Sequence, residues 1–142
     1  MTLVDTIRLL ERTAASQPSV GMIVKNDIFR LNAAPDAKYG VFAWTQGQHR
    51  AAADDGLISY TFTLFYADRM TEDKSNETEI QSVGVQTLTN ILRALADHGV
   101  SVGDYSFRTF NQRFLDECAG VFTTVTIGVP VLGLCGINIP IQ

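Results

Sequence analysis

A chain of 142 residues, 46% apolar and 18% charged, has the length and composition of one folded domain whose core needs no disulfide or metal staple. Its 15 acidic and 11 basic residues leave a net charge of −4, so electrostatics does not favour gripping a phosphate backbone. No run of bilayer-spanning length and no leader-like apolar stretch at the start is seen, which predicts a protein made in a reducing cytoplasm with no membrane partner.

The first element reads as a short helix. Thr2 followed by Asp5 resembles a capping box, Leu3, Val4, Ile7, Leu10 and Ala14 recur on one face, and Pro18 stops the run. Residues 20–24 are rich in β-formers, Asn26 and Asp27 are turn-prone, residues 28–32 are amphipathic, and the stretch around Pro35 reads as a loop. Residues 39–45 alternate as a strand, with Phe42 and Trp44 assigned to opposite faces. A polar connection follows and ends in the turn signal Asp54, Asp55, Gly56.

Residues 57–66 give the clearest strand. Ile58, Tyr60, Phe62, Leu64 and Tyr66 share one face, and Leu57, Ser59, Thr61, Thr63 and Phe65 the other, as in an antiparallel sheet covered on one side. Residues 67–75 read as a charged loop. A long helix then starts at Asn76 as N-cap, with Glu77 and Glu79 in its first turn where the helix dipole favours anions. Ile80, Val83, Thr87, Leu88, Ile91, Leu92 and Leu95 form its apolar stripe, His98 caps its last turn and Gly99 ends it. Gly84 inside this helix predicts close approach of another backbone. Strands follow at 105–110 and at 120–129, the latter with Val121, Thr123, Val125, Ile127 and Val129 on one face and Thr124 and Thr126 on the other.

These elements predict an α+β fold: a mainly antiparallel sheet with one short and one long helix packed on one side. Residues 1–129 form the single domain and residues 130–142 an apolar C-terminal strand or arm. From Cys118 to Gln142 no side chain is charged. The tail contains Val131, Leu132, Leu134, Ile137 and Ile139, too broken by Gly and Pro for a helix and too apolar for a free end. It is expected to complete its own sheet or to lie on a neighbouring subunit.

Catalytic patterns are thin. Cys118 and Cys135 lack a C-x-x-C context and read as buried thiols, the histidines His49 and His98 lack metal-ligand spacing, and the glycines near the C-terminus do not form a phosphate-binding loop. Asp68, Glu72 and Asp73 around Arg69 and Lys74 read as a cation site, an acid–base pair, or a solvated loop at the positive end of the next helix. Three functions are carried from here: a structural adaptor, a ligand-binding or regulatory module with a pocket near Trp44 and Tyr60, and an enzyme using His49 with the acidic loop.

Four segments carry a resemblance: residues 26–32 (NDIFRLN), 39–46 (YGVFAWTQ), 66–76 (YADRMTEDKSN) running into 80–82 (IQS), and 110–121 (FNQRFLDECAGV). Together they resemble small structural proteins of tailed bacteriophages of gut Bacteroidota, including crAss-like phages, and the order of elements is similar to that of tail-terminator and tail-completion proteins. The resemblance implies a homo-oligomeric virion ring of six or twelve copies at the neck or tail, touching portal, connector or tail proteins. It also implies that DNA passes through the lumen without specific binding, and that there are neither cofactors nor catalytic residues. Asp68, Arg69, Glu72, Asp73 and Asn76 would then fix the strand-to-helix loop at a subunit contact.

Overall fold

The structure is a computed structural model and describes residues 1–25, 40–51, 56–71, 73, 75–111 and 118–130. Its elements in chain order are α1 (Leu3–Ala15), β1 (Met22–Lys25), β2 (Val41–Gln46), β3 (Arg50–Ala51), β4 (Leu57–Arg69), α2 (Glu77–Ala96), β5 (Ser101–Val102), β6 (Arg108–Asn111) and β7 (Cys118–Pro130). The fold is α+β. One seven-stranded sheet runs β1-β2-β4-β7-β5, with β3 also paired to β4 and β6 to β7. Among the described strands, β1 and β2 pair in parallel and the other pairs are antiparallel.

The 13-residue strands β4 and β7 pair along their whole length, from Leu57 opposite Pro130 to Arg69 opposite Cys118. Alternation of side chains fixes that register, because a slip of one residue would turn every core side chain outward. The face expected from the sequence is the one that packs on the helices. Tyr60, Phe62, Leu64 and Tyr66 of β4 and Val121, Val125, Ile127 and Val129 of β7 join Leu10 of α1 and Leu88, Ile91, Leu92 and Leu95 of α2 in one buried cluster. Burying a side chain the size of Phe62 contributes about 1.5–3 kcal/mol.

The capping box of α1 is present in both directions: Thr2 Oγ1 accepts from Asp5 N, and Asp5 Oδ2 accepts from Thr2 N, each at 3.1 Å. Its buried face is Thr6, Leu9, Leu10, Thr13 and Ala14. Val4 is 54% exposed, so the expected stripe is rotated. The hydroxyls allow this, since Thr6 and Thr13 donate back to the carbonyls of Thr2 and Leu9 at 2.8 Å and enter the core satisfied. In α2, Gly84 takes the buried place expected for Val83, which is 38% exposed. A Cβ at Gly84 would stand 2.8 Å from Val121 Cγ2 and 3.0 Å from Tyr66 Cδ2. Side chains of the sheet, rather than another backbone, are what approach closely.

Four further expectations change. Phe42 and Trp44 point to the same side of β2, as period-2 geometry requires, and both enter the helix-side core. The long strand does not stop at Tyr66 but runs through Ala67, Asp68 and Arg69. The polar connection after β2 contains β3, whose Arg50 and Ala51 pair with Ser59 and Ile58. The C-terminal strand, expected over residues 120–129, likewise lengthens to Cys118–Pro130.

Candidate interaction surfaces

Two regions concentrate polar side chains without burying them. The first is the junction between β4 and α2. Asn76 is the N-cap by position, yet its side chain makes no cap hydrogen bond. Its Oδ1 accepts from Thr71 N at 2.8 Å, and its Nδ2 donates to the Arg69 carbonyl at 3.3 Å, so the amide clips the end of the strand to the start of the helix. Asp73 Oδ1 accepts from Thr71 Oγ1 at 2.8 Å and from Ser75 N at 3.0 Å. Those bonds, with the Thr71 hydroxyl the larger influence, hold the Asp73 carboxyl below the usual carboxylate range. Thr71, which the sequence reading did not single out, is the hub of this turn.

Asp68 is a strand residue opposite Ala119, with its Oδ1 accepting from Arg69 N at 2.7 Å. It borders a hollow of about 190 Å³ shared with Asn76, Glu79, Ile80 and Val83. Arg69 ends β4 opposite Cys118, which is buried. The junction is also tied to the far side of the sheet, because Asn111 Nδ2 at the end of β6 donates to Glu77 Oε1 at 2.6 Å. The structure thus brings together Asp68, Arg69, Asp73 and Asn76. Glu72, Val131, Leu132, Leu134, Ile137 and Ile139 lie outside the described residues.

The other expected constellations come apart. His49 Nδ1 accepts from Thr61 N at 3.2 Å, and Nε2 lies 2.8 Å from Gln46 Oε1; the first bond makes Nε2 the protonated nitrogen and hence the donor. Its ring meets Tyr60 edge-on, with centroids 5.3 Å apart. Thr61 and Asp68 are separated along β4 by roughly 23 Å at ~3.3 Å per residue, so His49 and the acidic junction lie toward opposite ends of the strand. Trp44 and Tyr60 are packed in the core, where Trp44 meets Phe62 edge-on and donates from Nε1 to Glu11 Oε2 at 2.8 Å. A hollow of about 420 Å³ lies elsewhere, at the end of α2, bordered by Arg93, Val102, Asp104 and Tyr105. His98 takes its expected capping place, with Nδ1 2.9 Å from the Ala94 carbonyl. Among the described residues no group of three or more His, Cys, Asp and Glu converges as a metal site, and no helix is long and apolar enough to cross a membrane.

The second region is the sheet face turned away from the helices. The register divides it into halves. Val24, Val41, Ala43, Phe65, Ala67 and Phe110 form an apolar cluster with Met22 and Phe122 packed against it, and Phe65 stacks on Phe122 at 5.6 Å. Toward the other end the side chains shrink and carry hydroxyls. Thr45, Thr63 and Thr124 stand in one row and Thr61 and Thr126 in the next; Ser59, Gly128 and Ser101 follow. Across β4 and β7 the hydroxyls of Thr63 and Thr124 are 3.1 Å apart, and those of Thr61 and Thr126 3.3 Å. Alternation in the sequence shows the threonines of each strand; only the pairing register shows that they are neighbours. No protein-family model and no curated protein matches the chain.

Proposed function

We propose that the chain is a structural subunit of a tailed-phage virion, assembling with copies of itself into a six- or twelve-fold ring at the neck or tail as a tail terminator, completion protein or head–tail connector. Its neighbours in that reading are portal, connector or tail proteins, DNA crosses the lumen without specific binding, and the protein performs no turnover. Support comes from the resemblance of the four sequence segments and from one structural observation. The sheet buries one face under both helices, and part of its second face turns toward water the threonine pairs Thr61–Thr126 and Thr63–Thr124, whose rows carry no charged side chain. Such a face lowers the cost of removing water at a subunit contact, since no ion has to be desolvated there.

Size-exclusion chromatography with light scattering, followed by negative-stain imaging, tests the reading. Hollow rings of uniform copy number are expected. A stable monomer that binds a small molecule saturably would overturn it in favour of a ligand-binding module.

A further inference from the structure

Resting on that assembly reading, we propose that residues 131–142 of one copy lie across the hydroxyl half of the second sheet face of a neighbouring copy. The receiving surface is defined by register. Thr45, Thr61, Thr63, Thr124 and Thr126 stand on adjacent strands of one flat patch, and Thr124 and Thr126 are exposed. Charged side chains on this face, among the described residues, sit at its margins, at Arg50 opposite Ser59, Arg69 opposite Cys118 and Arg108 opposite Phe122.

A threonine face suits burial better than its polarity suggests. The Thr63–Thr124 and Thr61–Thr126 contacts engage hydroxyls with one another inside the sheet. Their methyl groups are then available to an apolar partner, and fewer hydroxyl–water bonds have to be given up.

The occupant is chosen by composition, reach and heading. Residues 131–142 include Val131, Leu132, Leu134, Ile137, Ile139 and Ile141 and no charge, so placing them on the face strands no ion. Every charge of the chain, and hence its net −4, lies before Cys118. Copies therefore repel through the rest of their surfaces and lose nothing electrostatically where these two uncharged parts meet. The segment can reach on the order of 40 Å when extended, about three times the roughly 13 Å from Thr63 to Ser59 along β4. It follows Pro130, which lies opposite Leu57 at the hydroxyl end of the face. At Pro130 the direction of β7 points away from that copy's own Thr124 and Thr126.

The native Cys135 supplies the probe. In the full chain, Thr124→Cys and, separately, Thr61→Cys are exposed to a mild oxidant and run on non-reducing gels beside a light-scattering measurement of the same samples. Expected is a disulfide-linked ladder of dimers and higher species from at least one variant, abolished when Cys135→Ala is added. Oligomers of normal mass with no Cys135-dependent link at either position would overturn the proposal and leave the assembly reading standing. A Cys135-dependent disulfide within a monomer would overturn both. Thr126→Lys gives an independent arm: unchanged circular dichroism with at least a tenfold rise in the concentration needed for assembly is expected, and unaltered assembly contradicts the proposal.

Discussion

The two faces of the sheet are built from the same strands and solve opposite problems. On the helix side, Phe62 and Leu64 alternate with nothing polar, and the one hydroxyl on β7, Thr123, is silenced by donating to the Ser106 carbonyl at 2.6 Å. On the other side, the neighbours of those residues in sequence, Thr61 and Thr63, present hydroxyls that pair across strands at the surface. The threonine rows therefore contribute little burial, which leaves them, unlike the buried cluster around Phe65 on the same face, free to change without unfolding the domain.

Substitutions measure that contrast. Phe62→Ala should cost about 3–5 kcal/mol, read as a lowered urea midpoint with unchanged slope; a loss below about 1 kcal/mol would erase the distinction between faces. Next comes a pH effect at Tyr66, whose hydroxyl is pushed up to about 12, first by burial and then by Asp68. The unfolded chain releases this proton near pH 10, so stability is level below that pH and falls as the pH rises toward 12, by roughly 2 kcal/mol in all. Comparing wild type with Tyr66→Phe in urea at about pH 9 and 11 isolates the fall, which the variant should lack.

Gly84→Ala sharpens the comparison on the helix side. The added methyl gains about 1 kcal/mol of helix propensity, but it meets Val121 Cγ2 at 2.8 Å. A net loss of about 1–2 kcal/mol is expected in thermal or urea melts. At the small end, Thr124→Val on the outer face should stay within about 0.5 kcal/mol of wild type. A loss comparable to that of Gly84→Ala would show that the hydroxyl pairs carry folding stability after all.

Much of this was legible in the chain where a local rule and the tertiary fold agree. The alternation from Ile58 to Tyr66, the stripe from Thr87 to Leu95 and the Thr2–Asp5 box all appear where the sequence puts them. What stayed hidden depends on a distant partner. Asp68 and Arg69 read as loop because they are charged, yet Ala119 and Cys118 supply the ladder that extends β4 over them. The two-residue strands β3 and β5 have no periodicity to detect and exist through their pairing with β4 and β7. Asn76 was placed correctly as a helix start, but its bonds run back to Thr71 and Arg69, which no propensity encodes. The threonine patch belongs to the same class, since two alternating strands become one surface only once their register is known.

The full-length pairing of β4 with β7 also sets the order in which the domain can come into being. Its partners are far apart in the chain, residues 57–69 against 118–130, so a large loop must close before the ladder returns any free energy. Contacts of this kind place folding toward the slow end, milliseconds to seconds, for a domain of this size. Until residue 130 has been synthesised, β4 has only β2 and β3 beside it, and its other edge is an open template for another nascent chain. The first half of the uncharged end, residues 118–130, is thus the strand that closes the sheet, and its arrival removes the open edge that makes the nascent chain an aggregation risk.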